Sequence, residues 1–329
     1  MAKKKSRNKK RSPPSSQRRG SLQSTKTAPP KTRLPVLVGL LLALVMVAFV
    51  VWKWRSPVRT GLVLDRETFP AARYREMQMI ADRVALTVDQ LIPGQVESYP
   101  ESGIVCFIAP KAWKDEPIHP PPITLVGPKQ NGEPEAARPN VVRIALTDQV
   151  LFSTYTGEPE MVFELAHELA HIKMDARYDN YLDETFAVAV SLKVLGELRY
   201  QQYRHDTVAL FTRRLPEGIQ SAIDRQSWNE AAQYWQGKIP KQKSGPSGAW
   251  NFSFATVGSL LLETAQQPVW PNLLGIGAMS DKCVLSDGTP VSVPDPAMRF
   301  KVCLPAIRRM NKLSPALKTL GYPPAESPQ

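Results

Sequence analysis

Two histidines and one glutamate are closely spaced in the segment FELAHELAHIKMD, residues 163–175. His167 and His171 are four residues apart, so on an α-helix both imidazoles lie on one face and can reach one metal ion. Glu168 is rotated by about 100° from His167, which suits action on a water beside the ion better than binding of the ion. This HExxH pattern is typical of zinc sites in which the glutamate is a general base, although so short a motif also occurs by chance.

The context of the motif favours a metal site over an ordinary amphipathic helix. A helix is predicted independently of the motif, because Pro159 suits a first helical turn and apolar residues recur at helical spacing after it. Two of the four histidines in the chain lie within one five-residue stretch of this helix. The apolar positions are Val162, Leu165, Ala166, Leu169, Ala170 and Ile172.

A catalytic zinc site needs a third protein ligand and one open position. Glu184 is the best candidate, because it lies near the start of a second predicted helix, residues 182–204, on the face expected to pack against the first. A first-turn acid that only stabilises the helix dipole is the alternative for Glu184. Asp183 is the runner-up, and Asp175 and Asp179 are weaker candidates. The other two histidines are poorly placed: His119 lies in a proline-rich loop and His205 beyond the end of the second helix.

The pattern HELAH…DETFA resembles the gluzincin zinc metallopeptidases, whose second helix supplies a glutamate ligand. It is similar to a bacterial group of predicted aminopeptidases with HELAH, twelve residues and then E[SG]FA. The resemblance covers residues 160–195, and it implies Zn²⁺ held by His167, His171 and Glu184, with Glu168 as general base. It departs from the thermolysin-like pattern at Val188, where an acid would orient a histidine. The matching positions are His167, Glu168, His171, Glu184, Phe186 and Ala187.

The implied function is hydrolysis of peptide bonds by a metal-activated water, with peptides or proteins as substrates. An extended substrate is expected to pair with an edge strand, by analogy with zinc peptidases, at residues 140–147. A non-catalytic envelope module that binds a metal or a partner is the alternative function. Spacing does not choose the donor that would stabilise the oxyanion, for which the candidates are Tyr178, Tyr181, Tyr200, Tyr203 and His205.

The order of elements predicts an α+β fold with a small mixed sheet, because strands come first and helices follow. After a linker at 55–64, strands are predicted at 103–109, 123–127 and the start of 140–152. Helices are predicted at 69–92, from a start within 156–160 to about 173, and at 182–204, 206–235, 250–264 and 304–319. Residues 55–245 are expected to form a zincin-like metallopeptidase domain, and residues 246–329 an extension packed on it.

The N-terminal region predicts a membrane anchor. Residues 1–33 contain twelve Lys or Arg and no acidic residue, and residues 34–52 are nineteen uncharged, mostly apolar residues. Nineteen helical residues span roughly 28 Å, close to the hydrocarbon thickness of a bilayer. We therefore expect a disordered basic tail in the cytoplasm, a single transmembrane signal anchor at 34–54, and a C-terminal domain in the periplasm or outside the cell.

The charge of the chain is concentrated in this tail. Removing the fourteen positive charges of residues 1–55 from the net charge of +12 leaves −2 on residues 56–329. A nearly neutral domain argues against nucleic-acid binding by the folded part. A third hypothesis makes the tail itself the functional part, recruiting nucleic acid or anionic lipid.

The three cysteines do not form a zinc motif, since the chain has no CxxC pair. Cys106 is predicted to be a buried strand residue. Cys283 and Cys303 flank a predicted hairpin and could pair in an oxidising compartment.

Overall fold

Short apolar strands and longer apolar helices follow one another along the part of the chain that the structure, a computed structural model, describes. All described residues belong to the second of two units, Pro57–Gln329. The described residues are 61–94, 103–115, 122–125, 131–134, 141–152, 156–175, 181–238, 248–265, 269–273 and 314–322.

Four strands form one mixed sheet, and eight α-helices lie in the described residues. The strands are β1 (Leu62–Leu64), β2 (Ile104–Ile108), β3 (Ile123–Leu125) and β4 (Val142–Leu146). The helices are α1 (Tyr74–Leu91), α2 (Gly157–Met174), α3 (Tyr181–Glu197), α4 (Gln201–Thr212), α5 (Glu217–Asp224), α6 (Trp228–Lys238), α7 (Gly248–Glu263) and α8 (Ser314–Thr319).

The sheet has the strand order β1-β2-β4-β3. β1, β2 and β4 are parallel, and β3 is antiparallel to β4. The predicted α+β class and small mixed sheet are confirmed. The expectation that residues 140–147 form an edge strand is wrong, because β4 pairs with β2 on one side and with β3 on the other. The predicted linker at 55–64 is also wrong at its end, since Leu62–Leu64 form β1.

The two faces of the sheet separate by the alternation of a β-strand. Leu64, Cys106 and Ile144 face the helices and belong to the main core. Phe107 and Ala145 face the opposite side and form a smaller cluster with Ala109, Trp113 and Leu125. The prediction of a buried Cys106 is confirmed.

Of all pairs of elements in the described residues, α3 with α2 and α3 with α7 make the most extensive contacts. Buried residues line nearly every side of α2, as expected for a helix covered by both a sheet and other helices. Gly258 of α7 allows close approach to α3, because a Cβ there would lie 2.4 Å from Thr185 Cγ2. The core that contains α2 and α3 also includes residues of α7 and α8.

The second predicted helix is shorter than expected, so the prediction of one helix over 182–204 is wrong. Arg199 adopts the left-handed conformation (φ 70°), and the Tyr200 N–H donates to the Leu195 carbonyl at 2.8 Å. These contacts end α3 in the manner of a Schellman motif, in which glycine is the usual left-handed residue. Because the residue here is arginine, the sequence does not indicate that the helix ends at this position.

The region 206–235 is helical as predicted but forms three helices rather than one. The breaks come at Pro216, before α5, and at Gln226 (φ 57°), before α6. Some predictions fall on residues outside those described: the hairpin with Cys283 and Cys303, and the first part of the helix at 304–319. The predicted anchor at 34–54 also lies outside them, and no helix among the described residues is long and apolar enough to cross a bilayer.

Candidate metal centre

Helices α2 and α3 bring His167, His171 and Glu184 together. The two histidine Nε2 atoms are 3.1 Å apart. Glu184 Oε2 lies 3.5 Å from His167 Nε2, and Glu184 Oε1 lies 3.3 Å from His171 Nε2. Within the described residues, these three form the group of side chains that could hold a metal ion.

The distances between the nitrogen and carboxylate oxygen atoms of the site match those that a small tetrahedral ion requires. Ligands bound at about 2.0–2.1 Å in a tetrahedron are separated by about 3.3–3.4 Å, close to the three distances in this site. Two imidazoles and one carboxylate are donors that suit zinc and other first-row ions. The donor set and its dimensions therefore fit a metal ion.

Glu184 carries the charge that a metal ligand needs. Burial alone favours its neutral form, but the neighbouring His171 and His167 outweigh this effect and hold the pKa of Glu184 well below its ordinary value. The side chain is still 20% exposed, whereas those of His167 and His171 are 5% and 11% exposed. Solvent therefore reaches the centre from the side of Glu184.

Glu168 lies on the side of α2 that faces the sheet. Its carboxylate is buried, and Oε2 accepts a hydrogen bond of 2.7 Å from the Thr124 hydroxyl of β3. Burial raises the pKa of Glu168, although the two histidines and the Thr124 hydroxyl oppose the effect. A buried carboxylate with an elevated pKa is a stronger base than an exposed one, so this environment suits proton abstraction.

Aromatic rings pack around His167. The Phe163 ring stacks beside the imidazole with centroids 6.3 Å apart, and the Phe252 ring of α7 lies 5.6 Å from it. His167 Nδ1 is buried and has no hydrogen-bond partner among the described residues. Val188, where the thermolysin-like pattern has an acid, is fully buried. Among the described residues, the His167 ring therefore makes packing contacts with aromatic rings, and its Nδ1 has no carboxylate partner there.

A second buried carboxyl group lies one helical turn before Glu168. Glu164 Oε2 accepts a hydrogen bond of 2.8 Å from the Thr147 N–H, and the Thr147 hydroxyl bonds its other oxygen. Burial and the nearby Glu160 raise the pKa of Glu164 to about 8, although the Thr147 hydrogen bonds oppose the change. Glu164 is therefore mostly protonated at neutral pH.

The alternative ligands do not belong to the ligand group. Asp183 and Asp175 are buried, but neither is in the cluster with the histidines. His205 is 79% exposed and lies beside Asp206. His119 and Asp179 lie outside the described residues.

The proposed oxyanion donors receive little support. The Tyr200 hydroxyl donates to Glu158 in the first turn of α2, nine residues before His167 and so roughly 14 Å away along the helix. Tyr203 is a partly buried residue packed on the core. Tyr178 and the side chain of Tyr181 lie outside the described residues.

Thr124 and Phe252 are contacts of the site that the sequence reasoning missed. Thr124 is the one hydroxyl residue of an otherwise apolar strand, and its register opposite Ile144 turns it toward the helices. The sequence alone does not show which face of the sheet Thr124 lies on, because that depends on how β3 pairs with β4. Phe252 lies 85 residues after His167, and no local pattern connects the two.

Comparisons of the chain with models of protein families, with curated proteins and with solved structures find no match. The resemblance to gluzincins rests on residues 160–195 alone, and the zincin fold stays a prediction.

Proposed function

We propose that this protein is a zinc-dependent peptidase. The observation that carries the proposal is the convergence of two imidazole nitrogens and one carboxylate at tetrahedral spacing, with a buried glutamate beside them. Bound there, zinc would polarise the scissile carbonyl and make an attacking water more acidic.

Glu168 is the general base in this proposal. Its Oε2 is occupied by the Thr124 hydroxyl, so Oε1 is the oxygen that takes the proton as water attacks the carbonyl carbon. When the C–N bond breaks, the same oxygen returns the proton to the leaving nitrogen. The products are a carboxylic acid and an amine, and the proton of the acid then passes to the amine to give a carboxylate and an ammonium group, while Glu168 regains its starting form.

The outer edge of β3 is the surface we propose for an extended peptide. Among the described residues β3 ends the sheet, and its Thr124 contacts Glu168. A peptide paired with that edge would hydrogen-bond through its backbone beside the base. This location replaces residues 140–147, whose strand is internal to the sheet.

The decisive experiment compares Glu168→Gln with Glu164→Gln in the purified full-length protein. A general base contributes about 100- to 10,000-fold to a rate, so Glu168→Gln should lose that much kcat on a peptide library while retaining about one zinc per chain. Glu164→Gln replaces a mostly neutral carboxyl by an amide of similar shape and should stay within about threefold of the wild type. Equal cleavage by the Glu168→Gln variant would exclude catalysis at this site, and a protein that binds zinc but cleaves nothing would favour the non-catalytic module.

We also propose that residues 34–54 anchor the protein in the cytoplasmic membrane with the catalytic domain outside the cytoplasm. The twelve positive charges before the span support this orientation. Alkaline phosphatase fused after residue 60 should be active in intact cells, because that enzyme requires an oxidising compartment. An inactive fusion there, with an active one at the N-terminus, would reverse the topology.

A further inference from the structure

The Thr124 hydroxyl makes a direct contact with the proposed base. Its Oγ1 donates to Glu168 Oε2 at 2.7 Å and lies 3.5 Å from the Glu168 main-chain carbonyl oxygen. The two residues are 44 positions apart, on β3 and α2. This hydrogen bond joins the edge of the sheet to the helix that carries the metal ligands.

The register of β3 explains why the hydroxyl points toward Glu168. Thr124 pairs with Ile144, and Ile144 belongs to the core between the sheet and the helices. Ile123 and Leu125 have the opposite orientation and pack with the second cluster on the far face. Because side chains alternate along a strand, a shift of one residue would remove the hydroxyl from the site.

A hydroxyl at this position restricts the carboxylate. Glu168 can rotate about its side-chain bonds, and a general base must stay within about 3 Å of the atom that carries the proton it takes. Threonine has a β-branched side chain with few χ1 rotamers, so its hydroxyl is a well-ordered donor. It has one proton to donate and therefore holds one carboxylate oxygen, leaving the other for the reacting water.

We infer that Thr124 is a positioning residue, which holds Glu168 Oε2 so that Oε1 faces the attacking water. The inference rests on the proposed peptidase function and adds to it a contribution from the edge strand. Since the same strand is the proposed surface for the peptide, one element of the fold orients both the substrate and the base.

The chain offers a matched control for this contact. Thr147 bonds Glu164 through its hydroxyl as Thr124 bonds Glu168, and both glutamates are buried on α2. Only Glu168 stands beside the histidines in sequence. A loss of activity that follows from weakened packing of α2 should therefore appear in both threonine variants, whereas a positioning effect should appear in one.

The test measures kcat, KM, bound zinc and the thermal unfolding midpoint of the metal-free protein for Thr124→Val, Thr124→Ser and Thr147→Val. Misplacement of a catalytic group by about 1 Å can cost about 100-fold, so Thr124→Val should lower kcat by about 10- to 100-fold. Its KM and zinc content should match those of the wild type. Thr124→Ser, which keeps the hydroxyl, should recover most of kcat, and Thr147→Val should lower the unfolding midpoint without a comparable loss of kcat.

Several results would overturn the inference while leaving the peptidase proposal intact. They are an unchanged kcat in Thr124→Val, a rise in KM alone, a loss of zinc, no recovery in Thr124→Ser, or an equal loss of kcat in Thr147→Val. If Thr124→Val does not fold, Thr124→Ala takes its place, because it also removes the hydroxyl but puts no methyl group against the carboxylate, and the same outcomes apply to it. Failure of the wild-type protein to cleave any peptide, with zinc bound, would instead remove the proposed function and this inference with it.

Discussion

Glu164 and Glu168 occupy consecutive turns of the same helix in closely similar surroundings. Both side chains are buried, both face the sheet, and each accepts a hydrogen bond from a threonine hydroxyl. We call these the Glu164 site, with Thr147 and Glu160, and the Glu168 site, with Thr124, His167, His171 and Glu184. Burial and threonine contact are common to the two sites, so neither feature identifies a catalytic residue.

The two sites differ in the charges that surround them. In the Glu164 site burial and another acid, Glu160, raise the pKa of Glu164 to about 8. In the Glu168 site two imidazoles oppose the effect of burial on the pKa of Glu168. The first arrangement favours a neutral, structural carboxyl, whereas in the second the imidazoles reduce the rise in pKa that burial causes and are themselves groups that can bind a metal. The two imidazoles therefore distinguish the proposed catalytic site from a structural one on the same helix.

Substitution of Glu184, the proposed third metal ligand, should have the largest effect on this difference. Glu184→Gln keeps the shape of the side chain but removes the charge between the histidines. Mutation of residues that only hydrogen-bond to metal ligands weakens metal affinity by about 10- to 100-fold. Replacement of a ligand itself should therefore raise the zinc Kd by more than about 100-fold. Competition with a chromophoric chelator measures the change.

Asp183→Asn is the matched control, because Asp183 is an adjacent buried acid outside the ligand group. It should leave the zinc Kd near that of the wild type. If Asp183→Asn weakens zinc binding and Glu184→Gln does not, the ligand is misassigned.

A smaller effect is expected when the aromatic packing of the Glu168 site is altered. Phe252→Leu removes the ring 5.6 Å from the His167 imidazole, whose Nδ1 has no hydrogen-bond partner among the described residues. A less ordered imidazole should weaken zinc binding by about 10-fold, as outer-contact mutations do. The zinc Kd measures this effect too.

Phe107→Leu serves as the comparison, because Phe107 is buried on the other face of the sheet, where it contacts Trp113. It should lower the unfolding midpoint and leave the zinc Kd unchanged. Equal zinc affinities for the two phenylalanine variants would mean that packing around His167 does not orient it.

The smallest expected effect is a change in the pH dependence of the free energy of unfolding when Glu164 is replaced by glutamine. The pKa of Glu164 in the folded protein, about 8, exceeds its ordinary value of 4.5, so folding favours the protonated form. This contribution to stability is fully present below pH 4.5 and is lost as the pH rises toward and through 8. Between pH 7 and pH 9 the wild type should lose about 1 kcal/mol that Glu164→Gln retains.

Urea unfolding of the metal-free proteins at pH 5, 7 and 9 tests this prediction. The free energies of unfolding of the two proteins should move apart in favour of Glu164→Gln as the pH rises. Parallel pH profiles would show that Glu164 ionises in the folded protein as it does in water, and the proposed contrast between the two sites would then lack its electrostatic basis.

The sequence was enough to predict the candidate metal ligands, but it did not predict most of the residues that surround them. Glu184 could be selected because helical spacing placed it on the face of α3 that meets α2, and the structure brings it to 3.3 Å from His171 Nε2. Thr124 could not, because its contact depends on the pairing of β3 with β4. The end of α3 was also missed, because Arg199 takes a left-handed conformation that usually indicates glycine.

By itself the sequence determined what depends on the period of a helix: the shared face of His167 and His171, and the rotation of Glu168 toward another side. Only the tertiary structure decided which groups meet those side chains. The internal position of β4, the contact of Thr124 with Glu168 and the packing of Phe252 on His167 join segments far apart in the chain. Local spacing follows from backbone geometry over a few residues, whereas these contacts follow from how the sheet and helices bury their apolar faces together.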